Sequence, residues 1–191
     1  IIVFNDNGHS IAENHGGMYR AFKALRESGG KEGDNLFRAM GLDYRYVADG
    51  NNCEALIAAF SAVKDMAQPV VVHIVTQKGK GYKFAEEDPE TWHYRSAFDI
   101  ETGALKHPYT DPYQEVTKDF LKEQAQTNPN FVFLAAGTMG GIVLSPTDRA
   151  ELGRHYVDVG IAEEHAVAMA SGLARGGARP IFGTYSTFFQ R

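Results

Sequence analysis

The sequence predicts an α/β protein in two parts, each a parallel sheet flanked by helices. Three observations carry that prediction. Apolar, strand-like runs alternate in order with helix-like runs, which is the pattern of βαβ units and of right-handed crossovers. The stretch "PVVVHIV", residues 69–75, is continuously apolar but for one histidine, as in strands buried on both faces of a parallel sheet. Residues 96–114, "SAFDIETGALKHPYTDPYQ", hold Pro, Gly and polar residues without a period, so they read as a linker between two α/β parts.

The elements follow in chain order. Ile1–Phe4 is a β-branched run closed by Asn5, Asp6, Asn7 and Gly8, a strand and then a turn. Tyr19–Arg26 reads as a short helix, and residues 26–35, rich in Gly and charge, as a loop. "YRYV", residues 44–47, is a short strand. Asn51 then stands as a helix cap with Glu54 three residues on, and Leu56, Phe60 and Val63 share one face of the helix that follows. After the 69–75 strand and the linker come an amphipathic helix over 113–126 and a buried strand over 131–137. A strand "YVDVGI", residues 156–161, leads into a helix with Ala166, Met169, Ala170 and Leu173 on one face. Gly176 and Gly177 stop that helix, and the last strand covers 179–186.

Bulk properties exclude several classes. The chain has 191 residues, 43% hydrophobic and 23% charged, an ordinary globular composition. Its net charge of −5 gives no electrostatic basis for nucleic-acid binding or for an anionic membrane surface. One cysteine rules out an internal disulfide and suits the cytoplasm. No apolar run approaches the roughly 20 residues of a membrane span. The chain opens in mid-strand and stops without a terminal loop, so it reads as an excerpt of a longer protein.

Four stretches hold residues suited to chemistry. "NDNGHS", residues 5–10, follows a strand's carboxyl end, where open α/β sheets bind ligands. An Asn oxygen and nearby main-chain carbonyls suit Mg²⁺; a plain Asx turn explains the same residues. In "TQKGKGYKFAEEDPETWH", residues 76–93, Lys78 and Lys80 alternate with Gly79 and Gly81, which suits a phosphate and equally a solvated loop. His93 is eligible for proton transfer, or is simply exposed. Glu163 opens a helix among small and apolar neighbours. The helix dipole favours its charge while burial opposes it, and two acids decorating a helix start is the alternative. "GTYSTFFQR", residues 183–191, sets Tyr185, Phe188 and Phe189 beside Arg191, fit for a flat ring and an anion, or for a core with one surface cation. Cys53, near a helix start, reads as a small filler.

Taken in order, "NDNGHSIAEN", "HIVTQKGKGYKFAEEDPETWH", "YVDVGIAEEHAV" and "YSTFFQR" resemble the 1-deoxy-D-xylulose-5-phosphate synthase family, thiamine diphosphate enzymes of the transketolase superfamily. The resemblance runs along nearly the whole chain. It implies parts of two thiamine diphosphate-binding domains: the C-terminal part of the diphosphate-binding domain over 1–95, the linker over 96–114, and the N-terminal part of the pyrimidine-binding domain over 115–191. It implies thiamine diphosphate and Mg²⁺ as cofactors, pyruvate and glyceraldehyde 3-phosphate as substrates, a homodimer, and a place at the first step of non-mevalonate isoprenoid synthesis. By position, Asn7 matches a metal-binding Asn, and His9 a residue whose main-chain carbonyl binds the same ion. Lys78 matches a lysine near the diphosphate, and His93 a histidine near the thiazolium and substrate. Glu163 matches the glutamate that hydrogen-bonds N1′ of the aminopyrimidine, and Phe188 the aromatic packed on that ring. Tyr185 and Arg191 match substrate-side residues.

Some positions depart from the family. The Gly-Asp-Gly that begins its cofactor motif is absent, Glu164 stands where many members have Gln, and "DGNN", residues 49–52, stands for Asp-Gly-His-Asp. The 191 residues alone are therefore expected to bind cofactor poorly and to turn over no substrate. Three rival readings remain: a transketolase or E1-type dehydrogenase, a non-catalytic binding module of the same fold, and a nucleotide-binding α/β protein. The last lacks a G-x-G-x-x-G turn.

Overall fold

A computed structural model describes residues 1–108, 111–138 and 144–190. The chain forms two compact units, Ile1–Arg95 and Ser96–Arg191. In the first, β1 (Ile2–Asp6), α1 (Gly17–Glu27), α2 (Leu36–Ala39), β2 (Asp43–Val47), α3 (Cys53–Val63), β3 (Val70–Val75) and α4 (Lys83–Glu87) follow in order, then a 3-10 turn over Thr91–His93. The sheet is parallel with order β1-β3-β2, so the most apolar strand lies in the middle. Phe4 and Tyr46 both pair with His73. Side chains alternate along a strand, so this register fixes what each face carries. Val47, Val70, Val72 and Ile74 pack with Val63, Leu56 and Phe60 of α3. On the other face Phe4, Tyr44, Tyr46 and Val71 pack with Phe22 and Leu25 of α1 and with Leu36 and Phe37 of α2.

Local chemistry adjusts several expected boundaries. β1 runs on to Asp6, so Asn5 and Asp6 belong to the strand and the turn begins at Asn7. The cap of α3 is Asn52, not Asn51: its side chain accepts from the amides of Glu54 and Ala55. Asn51 instead accepts from the amide of Gln77, at 2.8 Å, and so ties the start of α3 to the loop after β3.

The second unit begins with a local turn. Asp99 accepts from the amides of Glu101 and Thr102, while Phe98 and Leu105 form a bridge. Then come α5 (Pro112–Thr127), β4 (Phe131–Ala135), α6 (Pro146–Leu152), β5 (Tyr156–Asp158), α7 (Glu163–Arg175) and β6 (Arg179–Gly183), with 3-10 turns at Gly153–His155 and Ser186–Gln190. Asp111 caps α5 ahead of Pro112. The sheet is parallel with order β5-β4-β6. Its core is Leu121, Phe131, Phe133, Ala135, Leu144 and Leu152.

Two strands are shorter than their patterns suggest. β5 ends at Asp158, whose carboxylate turns back to accept from the amides of Gly137 and Gly160, at 2.9 Å each. β6 ends at Gly183, and the next side chain, Thr184, hydrogen-bonds Thr138. At the end of α7 the amides of Gly177 and Ala178 reach the carbonyls of Ala174 and Leu173, a Schellman arrangement. On α7 Ala166 is buried, Met169, Ala170 and Leu173 are half-buried, and Gly172 faces open space.

Candidate active site

In the first unit the candidate residues gather beyond the carboxyl ends of β1 and β3, where a parallel sheet leaves main-chain groups for ligands. Asn7 opens the loop after β1. Its side-chain oxygen accepts from the His9 amide at 2.9 Å, and the His9 ring nitrogen Nδ1 lies 3.0 Å from the Asn7 carbonyl. The Asx turn expected as the plain alternative is therefore present, and it presents the carbonyls of the 7–14 loop. Lys78, three residues after β3, donates to the carbonyls of Ser10 and Ile11 at 2.6 and 2.9 Å. Residues 71 and 68 positions apart in sequence are joined in one place: Thr76 donates its hydroxyl to Asn5 as well, at 2.6 Å.

The electrostatics follow from this packing. Partial burial pulls the Lys78 ammonium below the usual lysine range, and the Glu90 carboxylate opposes that shift. His93 is also held below its ordinary value, first by partial burial and then by the charge of Lys78. The 3-10 turn carrying His93 is fixed by its neighbour. Trp92 packs edge-on to Tyr82 at 5.1 Å and takes the Arg95 guanidinium over its ring at 4.8 Å. A cavity of about 290 Å³ opens beside the loop, lined in part by Gly8, Glu13, His15, Arg20 and Arg26.

The loop rests on a buried group that the sequence reading did not single out. Asp6 is 5% exposed and His73 is fully buried. Arg26 donates to both Asp6 oxygens at 2.6 Å, His73 Nε2 lies 2.9 Å from Asp6 Oδ2, and His73 Nδ1 lies 2.7 Å from the Tyr44 hydroxyl. Burial works against the Asp6 charge, but the bonds from His73 and Arg26, with the charge of Arg26, outweigh it and hold the carboxyl below its usual range. Burial, with the charges of Tyr46 and Asp6, pushes the Tyr44 phenol up to about 12. One signal was available in the sequence: a lone histidine inside an otherwise apolar strand.

In the second unit Glu163 is the first residue of α7. It is half-buried, five residues beyond the end of β5, and Glu164 beside it is exposed. The amide of Ala166 bonds the carbonyl of Ala162 to close the first turn, with no side-chain cap at Ala162. Phe188 is half-buried in the 3-10 turn after β6, edge-on to the exposed ring of Tyr185 at 5.7 Å. Arg191 lies outside the described residues.

Comparison with known proteins covers both units. Residues 112–191 match the model of the transketolase pyrimidine-binding domain, and residues 27–76 match the model of 1-deoxy-D-xylulose-5-phosphate synthase. The protein of that name from Trichormus variabilis is 40% identical over 159 residues, 82% of this chain and 25% of the relative. That from Synechococcus elongatus is 34% identical over 232 residues, all of this chain and 36% of the relative. That from Clostridium tetani is 40% identical over 156 residues, 82% and 25%. The whole chain is thus similar to part of the 1-deoxy-D-xylulose-5-phosphate synthases. It spans about a quarter to a third of the length of these curated synthases. The match to the pyrimidine-binding domain begins at Pro112, where α5 starts, and contains Glu163, Tyr185 and Phe188. Among the described residues no helix is long and apolar enough to cross a membrane.

Proposed function

We propose that this chain carries central parts of a 1-deoxy-D-xylulose-5-phosphate synthase, which decarboxylates pyruvate and joins the remaining two carbons to glyceraldehyde 3-phosphate. The observation that carries the reading is the junction of Asn7, His9 and Lys78 at one sheet edge, with the charge of Lys78 acting on His93. The donors suit the cofactor. The Asn7 side-chain oxygen and the His9 main-chain carbonyl are hard ligands for Mg²⁺, which takes its remaining partners from phosphate oxygens and water. Among the described residues no cluster of three His, Cys, Asp or Glu side chains offers a rival metal site. Bound thiamine diphosphate supplies the nucleophile and electron sink that loss of CO₂ from a 2-oxo acid requires.

The chain's own residues then have separate tasks. Lys78 meets the diphosphate, whose charge favours its ammonium. Glu163 holds a proton at N1′ of the aminopyrimidine and so promotes removal of the C2 proton. Phe188 packs on that ring. His93, kept neutral near pH 7, accepts or returns a proton beside the reacting carbon. Tyr185 and Arg191 hold the acceptor, with Arg191 on its phosphate. The reading assigns residues 1–95 to the diphosphate-binding domain and 115–191 to the pyrimidine-binding domain of a cytoplasmic homodimer.

The decisive experiment is proton–deuterium exchange at cofactor C2 in the full-length protein. Glu163→Ala is expected to slow exchange by about 10²-fold or more. Exchange at the wild-type rate removes Glu163 from this role. Product analysis separates a transketolase: CO₂ release from pyruvate with glyceraldehyde 3-phosphate supports the synthase, and turnover of a ketose donor without CO₂ sinks it.

A further inference from the structure

The face of the first sheet beneath α1 and α2 is aromatic and aliphatic except for one polar line. Tyr44 on β2, His73 on β3 and Asp6 on β1 each contribute one side chain, and Arg26 of α1 closes the line from above. A carboxylate at the end takes the Nε2–H of His73, which leaves Nδ1 to accept from the Tyr44 hydroxyl. The Tyr44–His73 and His73–Asp6 bonds then run one way through the ring, and Arg26 donates into Asp6 from the opposite end. The aromatic surroundings are close: Phe4 lies 5.0 Å from the His73 ring and Tyr46 5.4 Å, edge-on.

Stability alone does not call for such a line. Well-packed apolar side chains commonly replace a buried ionic group at no loss, while removing one partner alone is costly. Its position is the informative feature. Asp6 immediately precedes Asn7, and its Oδ1 also accepts from the Gly8 amide at 3.2 Å, so the carboxylate holds the backbone on both sides of Asn7. The Asp6 carbonyl accepts from the Thr76 amide at 3.0 Å, two residues before Lys78. The line therefore sets where the loop after β1 stands relative to the loop after β3.

We propose that Tyr44, His73, Asp6 and Arg26 are positioning residues for the metal–diphosphate loop. They hold Asn7 and the His9 carbonyl in the arrangement that takes a divalent cation, without touching the ligand. This rests on the functional reading above. It differs from a purely structural role in one respect: ligand affinity falls more than stability accounts for.

The test is thiamine diphosphate binding to the full-length apoprotein across a Mg²⁺ series, by titration calorimetry, with melting of the apo form in parallel. His73→Phe and Asp6→Asn are expected to raise the Mg²⁺ needed for half-maximal cofactor binding at least tenfold. Arg26→Gln, at a partly exposed position, is expected to raise it about threefold or more. The KM for pyruvate at saturating cofactor should stay within twofold. His73→Gln, which keeps one hydrogen bond, should recover part of the affinity. If Arg26→Gln and every folded variant of His73 and Asp6 bind cofactor within twofold of wild type while melting earlier, the line is structural and the proposal falls. If wild-type protein takes up no thiamine diphosphate with Mg²⁺, the functional reading falls first and the proposal with it.

Discussion

Gly79 and Gly81 look alike in sequence, but the structure separates them. Both hold positive φ, 81° and 96°, so an L-residue at either is strained by about 1–2 kcal/mol. Replacing Gly also restricts the unfolded chain, which returns about 0.5 kcal/mol. For Gly81 nothing lies within 4 Å of an added Cβ, so Gly81→Ala should cost only about 1 kcal/mol. At Gly79 the new methyl would meet the backbone carbonyl oxygen of Ala85, its carbon at 2.5 Å and its Cβ at 2.8 Å. Ala85 is buried in α4 and cannot swing aside as a side chain would. Overpacking of this kind adds about 1–3 kcal/mol, so Gly79→Ala should cost roughly 2–4 kcal/mol. Urea unfolding followed by Trp92 fluorescence is a suitable assay. Trp92 is the chain's single tryptophan and packs on Tyr82 just before α4. Midpoints for the two variants that agree within about 0.3 kcal/mol, at equal slope, would refute the close approach to Ala85.

Other expectations follow from particular bonds. Asn52→Ala should destabilise by about 1 kcal/mol through loss of the α3 cap, whereas Asn51→Ala should leave the cap intact; urea midpoints of the two variants decide it. In the second unit Lys122 and Ser145 outweigh the cost of burying Asp148 and hold its carboxyl at about 2, against an ordinary 3.8. Its folded form therefore binds protons less readily than its unfolded form. The stabilisation is complete above about pH 4 and is lost as pH falls towards 2, about 1 kcal/mol after allowance for the partly exposed Lys122. Asp148→Asn should flatten that acid limb in pH-dependent unfolding. Arg191→Ala should raise KM for glyceraldehyde 3-phosphate at least tenfold, about 1.4 kcal/mol or more, with KM for pyruvate little changed in steady-state assays.

The strands were legible because their signal is local. β-branched or aromatic residues ahead of turn residues mark β1, β2 and β3, and period-2 alternation lets register sort their faces. Two of the misplaced boundaries share a cause, side-chain bonds to distant backbone. Asn51 looked like the cap because an Asn before Glu54 is the local pattern, yet Gln77, 26 residues on, takes its oxygen. β5 stops early because Asp158 serves Gly137, 21 residues back. Neither partner could be read from a window of neighbours.

The two acids at the start of α7 show how far a local pattern reaches. Successive helical residues point about 100° apart, so neighbouring glutamates cannot share one environment. Glu163 is half-buried and Glu164 exposed, which is the division expected if one faces a ligand and the other water. Helix geometry alone gives two different positions but not which is inward; the packing of Ala166, three residues after Glu163 and fully buried, sets that phase. The loop after β1 works the other way. Nothing local in "NDNGHS" distinguishes an idle Asx turn from a ligand loop, because the turn is present either way. What distinguishes them is the distant chemistry built around it: an ion pair beneath Asn7, and a lysine 68 residues beyond Ser10 holding the loop's carbonyls.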